Sequence, residues 1–329
     1  MTQKRSFGAV SMTDVANRAG VSQSTVSRVI NHHPGIRPET RDTVLGALRE
    51  LGYKSEIMSL IHPEPEPERH RISIVMCPLP EQADPFALEY FSLLAQGIRD
   101  EFANSETVPD QQTLPAGATE LPEPGRYDGA ILLGYPSEAL RFQLRENGVP
   151  YVIASGDMGS NSEDVVTANH FDGCAEGCAY LLEQGVKRVG FLLDKHGLPR
   201  YAGFQSVLLS RNLPVRHEDL RIVPDTRTSS YITAIHHWIA AKNLPEALVV
   251  SYVEAASAVK AMLELNRLRI PEDVRLLSFG HYSRSEPIAT LDIDARVIGR
   301  RAGIRLLEKL RHPDDPPIQI QVPMKLYTP

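Results

Sequence analysis

From Arg71 onward the chain alternates short apolar runs with amphipathic stretches, and this alternation constrains the fold more than any other feature. The apolar runs are ISIVM (72–76), GAILLG (129–134), PYVIA (150–154), RVGFLL (188–193), ALVVS (247–251) and RLLSF (275–279). Each is short, unbroken and rich in β-branched residues, as expected of a strand covered on both faces. Between them lie stretches of helical periodicity at Glu89–Phe102, Ser137–Asn147, Asp172–Gln184, Tyr201–Arg211, Tyr231–Ala241 and Val253–Asn266. Strand and helix in strict alternation predict a doubly wound α/β architecture with parallel sheets. The stretch Asn104–Gly125, rich in Pro and Glu, interrupts the alternation and reads as a loop where a helix end and a strand would be expected.

The first fifty residues follow another rule. Ser11 is placed to cap a helix, with Asp14 three residues on as a capping-box variant. Val15, Ala16 and Ala19 give that helix an apolar face, and Gly20 ends it. Ser22 caps a second helix running to about Asn31, with Val26, Val29 and Ile30 facing inward. A third follows Pro38, with Val44, Leu45, Leu48 and Leu51 at helical spacing and Gly52 at its end. Two short helices joined through Ala-Gly-Val-Ser form a helix-turn-helix pattern, whose second helix presents its outward side chains to a major groove. Those side chains are Gln23, Ser24, Ser27 and Arg28. Glutamine matches the two hydrogen-bonding atoms of an adenine edge, and arginine those of guanine.

Charge agrees with this division. The chain of 329 residues carries a net charge of −6, but residues 1–62 sum to +3 and the remainder to −9. A basic head on an acidic body suits a nucleic-acid contact confined to one end. Three cysteines (Cys77, Cys174, Cys178) make no disulfide framework and suit a reducing compartment. The opening MTQKRSFGAV lacks the apolar core of a signal peptide, and no apolar run reaches a membrane span. The expectation is a soluble, cytoplasmic protein.

The string TDVANRAGVSQSTVSRVIN, followed by Thr40-Arg41 and ELGY (50–53), resembles the head of LacI/GalR-family bacterial transcriptional regulators. The resemblance continues through YDGAILLG, GVPYV, LLEQGVKRVGFL (with Val186 where the family has His), RYAGF (200–204), IPEDVRLLSFG and IATLDID. It implies base reading by Gln23, Ser24 and Arg28, and phosphate contact or helix support by Ser22, Thr25, Ser27 and Asn31. It also implies a core like that of the periplasmic sugar-binding proteins, with two lobes, three crossovers and a ligand cleft. The organisation so implied is a small all-α helix-turn-helix head with a short hinge at 1–62, a Pro/Glu linker at 63–70 and an effector-binding and dimerisation core at 71–329. Its first lobe is expected at about 71–166 and 295–312, and its second at about 167–294 and 313–329. The partners implied are near-palindromic operator DNA, a second copy of the chain and a small-molecule effector.

Because ligands of open α/β sheets sit beyond the carboxyl ends of strands, the cleft should draw on Cys77–Leu79, Phe91, Asp157, Asn169, Arg200, Tyr252 and Gly280–Tyr282. Phe91, Asn169, Arg200, Tyr252 and His281 are the candidate effector-binding residues. Arg200 matches the arginine with which the family grips effector oxygens; the alternative is a structural salt bridge. The family's Asn-Asp near 252–253 is Tyr252-Val253 here, and its usual Asp after Gly-Phe is Gly280. Losing two acceptors points away from a simple hexose and toward an anionic or aromatic effector, a less regular sugar-like one, or none.

The segment after Tyr53 departs from the family. Ser55-Glu56 replaces the usual Pro-Asn, and His62, followed by Pro63, Pro65 and Pro67, stands where a Leu wedge is expected. This reads either as an altered minor-groove contact through Met58, Leu60 or Ile61, or as a shorter hinge helix followed by a stiff spacer. His170, Cys174 and Cys178 share one helix face, but buried cysteine is ordinarily a small hydrophobe, so no metal or other cofactor is expected. Phosphate-loop, nucleophile-elbow and HExxH patterns are missing, and the chain reads as a non-enzyme. Two other readings remain: a small-molecule-binding protein with a vestigial head, and a constitutive regulator without effector.

Overall fold

The computed structural model describes residues 11–30, 33, 35–51, 69–79, 85–103, 107–155, 162–194, 196–280 and 287–329. The chain divides into two compact units, Met1–Glu68 and Arg69–Pro329.

The first unit is a three-helix cluster, α1 (Met12–Ala19), α2 (Gln23–Ile30) and α3 (Pro38–Glu50). Ser11 and Asp14 form a full capping box: the Ser11 N–H donates to Asp14 Oδ2 at 2.8 Å, and the Asp14 N–H donates to Ser11 Oγ at 3.3 Å. Gly20 ends α1 at φ +66°, where a β-carbon would be strained. The amide of Val21 still bonds Ala16 O, so the chain turns directly into α2. Val15, Ala16, Val26, Val29, Ile30, Val44, Ala47 and Leu48 are buried together and form the unit's core. The expected features at Asn31 and Gly52–His62, including the hinge and its wedge position, lie outside the described residues.

The second unit holds two six-stranded sheets. The first contains β1 (Ile72–Cys77), β2 (Asp110–Thr113), β3 (Gly129–Gly134), β4 (Tyr151–Ala154), β5 (Val165–Ala168) and β11 (Gln319–Val322), in the order β11-β5-β4-β3-β1-β2. The second contains β6 (Val189–Leu193), β7 (Leu220–Ile222), β8 (Ala247–Val250), β9 (Arg275–Gly280), β10 (Ala289–Asp292) and β12 (Lys325–Tyr327), in the order β12-β10-β9-β8-β6-β7. All the pairings are parallel except β10 with β12. The central strands β1, β3, β4, β6 and β8 are buried along their whole length, which is why they read as unbroken apolar runs. Seven helices connect them: α4 (Pro85–Phe102), α5 (Glu138–Glu146), α6 (His170–Glu183), α7 (Leu198–Ser210), α8 (Thr228–Ala240), α9 (Val253–Leu265) and α10 (Ala295–Arg311).

Two expectations need correction. The stretch 104–125 is not all loop, for Asp110–Thr113 pairs with β1 from Ser73↔Asp110 to Met76↔Thr113. The sequence DQQT carries no apolar signal because an edge strand is largely solvated, and Gln112 Nε2 donates to Ser73 Oγ at 2.8 Å. The tail 313–329 does not belong wholly to the second lobe. Its first strand, β11, pairs with β5 of the first sheet, and only β12 joins the second. A buried ion pair holds β11 in place: Arg305 Nε donates to Asp164 Oδ1 at 2.7 Å, and the same oxygen accepts from the Ile318 N–H at 2.8 Å.

Candidate functional site

In the head, α2 separates into two faces. Val26, Val29 and Ile30 are buried, whereas Gln23, Ser24 and Arg28 are exposed and lie on one side of the helix. Thr25 and Ser27 are half-buried between the faces. Ser22 caps the helix, its Oγ accepting from the Thr25 N–H at 3.2 Å and lying 2.8 Å from both Ser24 Oγ and Thr25 Oγ1. The start of the exposed face therefore has a fixed hydroxyl cluster, followed by one long cation a turn further on. Asn31, expected on the same helix, lies outside the described residues.

In the core, Arg200 projects from the first turn of α7. Its Nε donates to His170 Nδ1 at 3.3 Å and its Nη1 to Ser251 O at 2.8 Å. The guanidinium lies 4.6 Å from the centroid of the Phe279 ring and 5.7 Å from that of Tyr252, two cation–π contacts. Among the described residues its hydrogen bonds go to neutral groups, so the salt-bridge alternative has no partner there. His170 accepts at Nδ1, so its neutral ring carries the proton on Nε2. Burial, reinforced by the Arg200 charge, holds its pKa well below the ordinary histidine value.

Tyr252 meets Arg200 through its ring and Asp194 through its hydroxyl, which donates to Asp194 Oδ2 at 2.9 Å. The other Asp194 oxygen accepts from the His196 N–H at 2.7 Å. Burial, then the Asp194 charge, raises the Tyr252 pKa well above that of a free phenol. Asn169 caps α6: it accepts from the Asp172 N–H at 3.1 Å and donates to Asp172 Oδ2 at 2.7 Å. Phe91 differs from expectation. It is 4% exposed and belongs to the apolar core, where it backs Gly134 at the end of β3. His281, Tyr282 and Asp157 lie outside the described residues.

Asn169, His170, Arg200, Ser251, Tyr252 and Phe279 thus gather at the carboxyl ends of β5, β6, β8 and β9, as the strand-end rule requires. Asp194 and the Arg200 role of His170 were missed. Asp194 follows directly on the apolar run of β6, and the same rule could have singled it out. Cys174 and Cys178 are buried with their sulfurs 3.9 Å apart, while His170 turns to Arg200. Among the described residues no three His, Cys, Asp or Glu side chains are grouped to hold a metal ion. No helix among them is long and apolar enough to cross a membrane.

Two family models match the chain. Residues 11–56 match the lacI family of bacterial regulatory proteins, and residues 178–328 match the periplasmic binding protein-like domain. The HTH-type transcriptional repressor PurR of Pectobacterium carotovorum subsp. carotovorum is 28% identical over 313 residues, which cover 90% of this chain and 89% of PurR. The lac repressor dimer bound to operator and the anti-inducer ONPF superposes with a TM-score of 0.66 at 19% identity, covering 98% of each chain. A complex of the transcriptional regulator CelR with cellobiose gives a TM-score of 0.65 at 20% identity, covering 97% of this chain and 98% of CelR. With the capped recognition helix at one end and the paired parallel sheets behind it, the chain belongs to the LacI family of DNA-binding transcriptional regulators.

Proposed function

We propose that the protein is a cytoplasmic, homodimeric repressor that reads a near-palindromic operator through Gln23, Ser24 and Arg28 and answers to a small-molecule effector at Arg200. The observation that carries the reading is the two-faced α2. Its buried side anchors the helix, and its exposed side presents base-reading side chains over a hydroxyl cluster suited to phosphate. Ser22, Thr25, Ser27 and Asn31 are assigned to phosphate contact and helix support. A two-fold protein matches a two-fold site, and PurR, the lac repressor and CelR are all regulators of this kind. The core has the role of a sensor, and no catalytic role is assigned to it.

The effector reading rests on Arg200, whose guanidinium is held by neutral partners and so keeps an uncancelled charge beside Asn169 and Tyr252. That suits a ligand with paired oxygens. His281 is kept as a candidate contact from the sequence alone. Phe91 shapes the floor from below.

Selection from random DNA tests the first half. The double variant Gln23→Val, Ser24→Ala is expected to select a different consensus from the wild type, and an unchanged consensus rejects the base-reading assignment. Arg28→Ala is expected to weaken specific binding by about 1–3 kcal/mol if it makes a two-point guanine contact. For the second half, Arg200→Ala should keep operator affinity and lose the ligand response, and equal ligand affinities by calorimetry would discard the role.

A further inference from the structure

We infer that a cavity on the flank of the first sheet, beside α5, is a second small-molecule site, which takes a small carboxylate with a flat or apolar body. This goes beyond the proposed function, since it requires neither operator reading nor an effector at Arg200.

The cavity has a volume of about 670 Å³, within the usual range of ligand sites. It opens beyond the carboxyl ends of β1 and β3, where β2 and β4 depart in opposite directions. Such a switch point is where open α/β sheets hold ligands. Neither Arg200 nor Tyr252 lines it.

Its polar wall is built around Glu163, whose side chain is 2% exposed. Arg141 and Arg145, one turn apart on α5, both donate to this carboxylate. Tyr151 donates its hydroxyl to Glu163 Oε1 at 2.8 Å and accepts from Arg145 Nη1 at 2.8 Å. Glu138 also binds both arginines, but it is 72% exposed, so water and salt screen it. Two guanidiniums therefore face one buried carboxylate, and the buried side of the cluster is left with positive charge in excess. Arg141 Nε–H is buried and has no hydrogen-bond acceptor among the described residues. A guanidinium with an unused donor suits a planar oxygen anion, and a carboxylate supplies one.

The opposite wall is apolar. Leu79, Pro136, Ile153 and the ring of Tyr135 line it, which suits a flat body attached to the anion. Tyr135 leaves β3 of the first sheet, and His196 follows β6 of the second. Their rings meet with centroids 4.6 Å apart at the cavity mouth. A ligand here touches groups from both sheets and would bear on how the lobes are held together.

Benzoate and its uncharged analogue benzyl alcohol are suitable probes, titrated calorimetrically into the full-length protein. Wild type is expected to bind benzoate, with benzyl alcohol weaker by about tenfold or more. Arg141→Lys keeps a charge opposite Glu163 but removes the fork and its Nε–H. Ser162→Trp, at an exposed position, fills the mouth. Each is expected to weaken benzoate by about tenfold or more, while Arg200→Ala leaves it unchanged. Binding that is undetectable at about 10 mM, or equal for the alcohol, overturns the proposal. So does benzoate affinity that survives Ser162→Trp and falls with Arg200→Ala, which would place the probe in the other cleft. If Arg141→Lys loses its cooperative unfolding transition, Ser162→Trp decides alone. The Arg200 reading stands or falls separately, on the ligand response of Arg200→Ala.

Discussion

Gly299 of α10 lies against the backbone of Leu94 in α4 so closely that a β-carbon at position 299 would stand 2.0 Å from Leu94 O. The contact is reciprocal, for a β-carbon at Gly97 would stand 2.1 Å from Arg296 O. Two helices from distant parts of the chain thus cross backbone to backbone and cover one face of the first sheet. Rigid backbone on both sides leaves no side chain to give way. Gly299→Ala should destabilise the core by at least about 1–3 kcal/mol, read as a lower urea midpoint. Gly46→Ala is the contrasting control. Position 46 lies inside α3 with nothing within 4 Å of a new methyl group, so that variant should stabilise the head by about 0.5–1 kcal/mol.

Arg305 and Asp164 make a second packing prediction, of the opposite chemistry. Their side chains are 2% and 4% exposed, and Asp164 also accepts from the Ile318 N–H. Arg305→Met would strand a buried carboxylate and should cost about 3–5 kcal/mol. Arg305→Met combined with Asp164→Asn should recover much of that loss, because the amide oxygen still accepts from Ile318 without a charge. A double-mutant cycle by chemical denaturation measures the difference. Equal losses in the single and double variants would show that packing, not charge, sets the cost.

The sequence disclosed those elements whose role is local. Ile72–Cys77 and Gly129–Gly134 are buried on both faces, so their apolar runs could be read directly. The α2 face was equally legible, since Ser22, Gln23, Ser24 and Arg28 act from one helix whose buried side is marked by Val26, Val29 and Ile30. Asp110–Thr113 and Gln319–Val322 escaped notice because edge strands need no apolar alternation, and only pairing partners far along the chain make them strands. The cleft was half legible for the same reason. Arg200 stood out by its motif, but its bonds to His170 and Ser251 join residues that no local pattern connects. Nor does spacing reveal that Arg141, Arg145, Tyr151 and Glu163 converge.

Tyr252 and Asp194 allow a third prediction. The Tyr252 hydroxyl is the recorded donor to Asp194 Oδ2, and Asp194 is 1% exposed. Tyr252→Phe keeps the ring over Arg200 but leaves that oxygen unsatisfied, which should cost about 1–3 kcal/mol in urea denaturation. Asp194→Asn in the Tyr252→Phe background should be close to neutral, since the charge that needed the donor is gone. If Tyr252→Phe alone costs nothing, water replaces the hydroxyl, and Tyr252 acts on the cleft through its ring only.

The last prediction concerns pH and His170. In the folded protein its pKa lies well below the ordinary 6.5, because burial and then the neighbouring Arg200 charge disfavour the imidazolium. In the unfolded chain it titrates normally. The sign follows by linkage: the unfolded state binds the proton first as pH falls, so this contribution is intact above about pH 6.5 and is lost progressively below it. The chain has 11 histidines, so the wild-type curve alone cannot isolate one of them. The difference between wild type and His170→Gln can. Glutamine keeps an acceptor for Arg200 Nε but binds no proton, so the stability of the variant should fall less steeply than that of wild type between about pH 7 and 5. Urea midpoints at half-unit pH intervals give that difference directly. Parallel curves would mean that His170 takes up its proton in the folded state as well, and that the Arg200 Nε–H does not depend on a neutral ring.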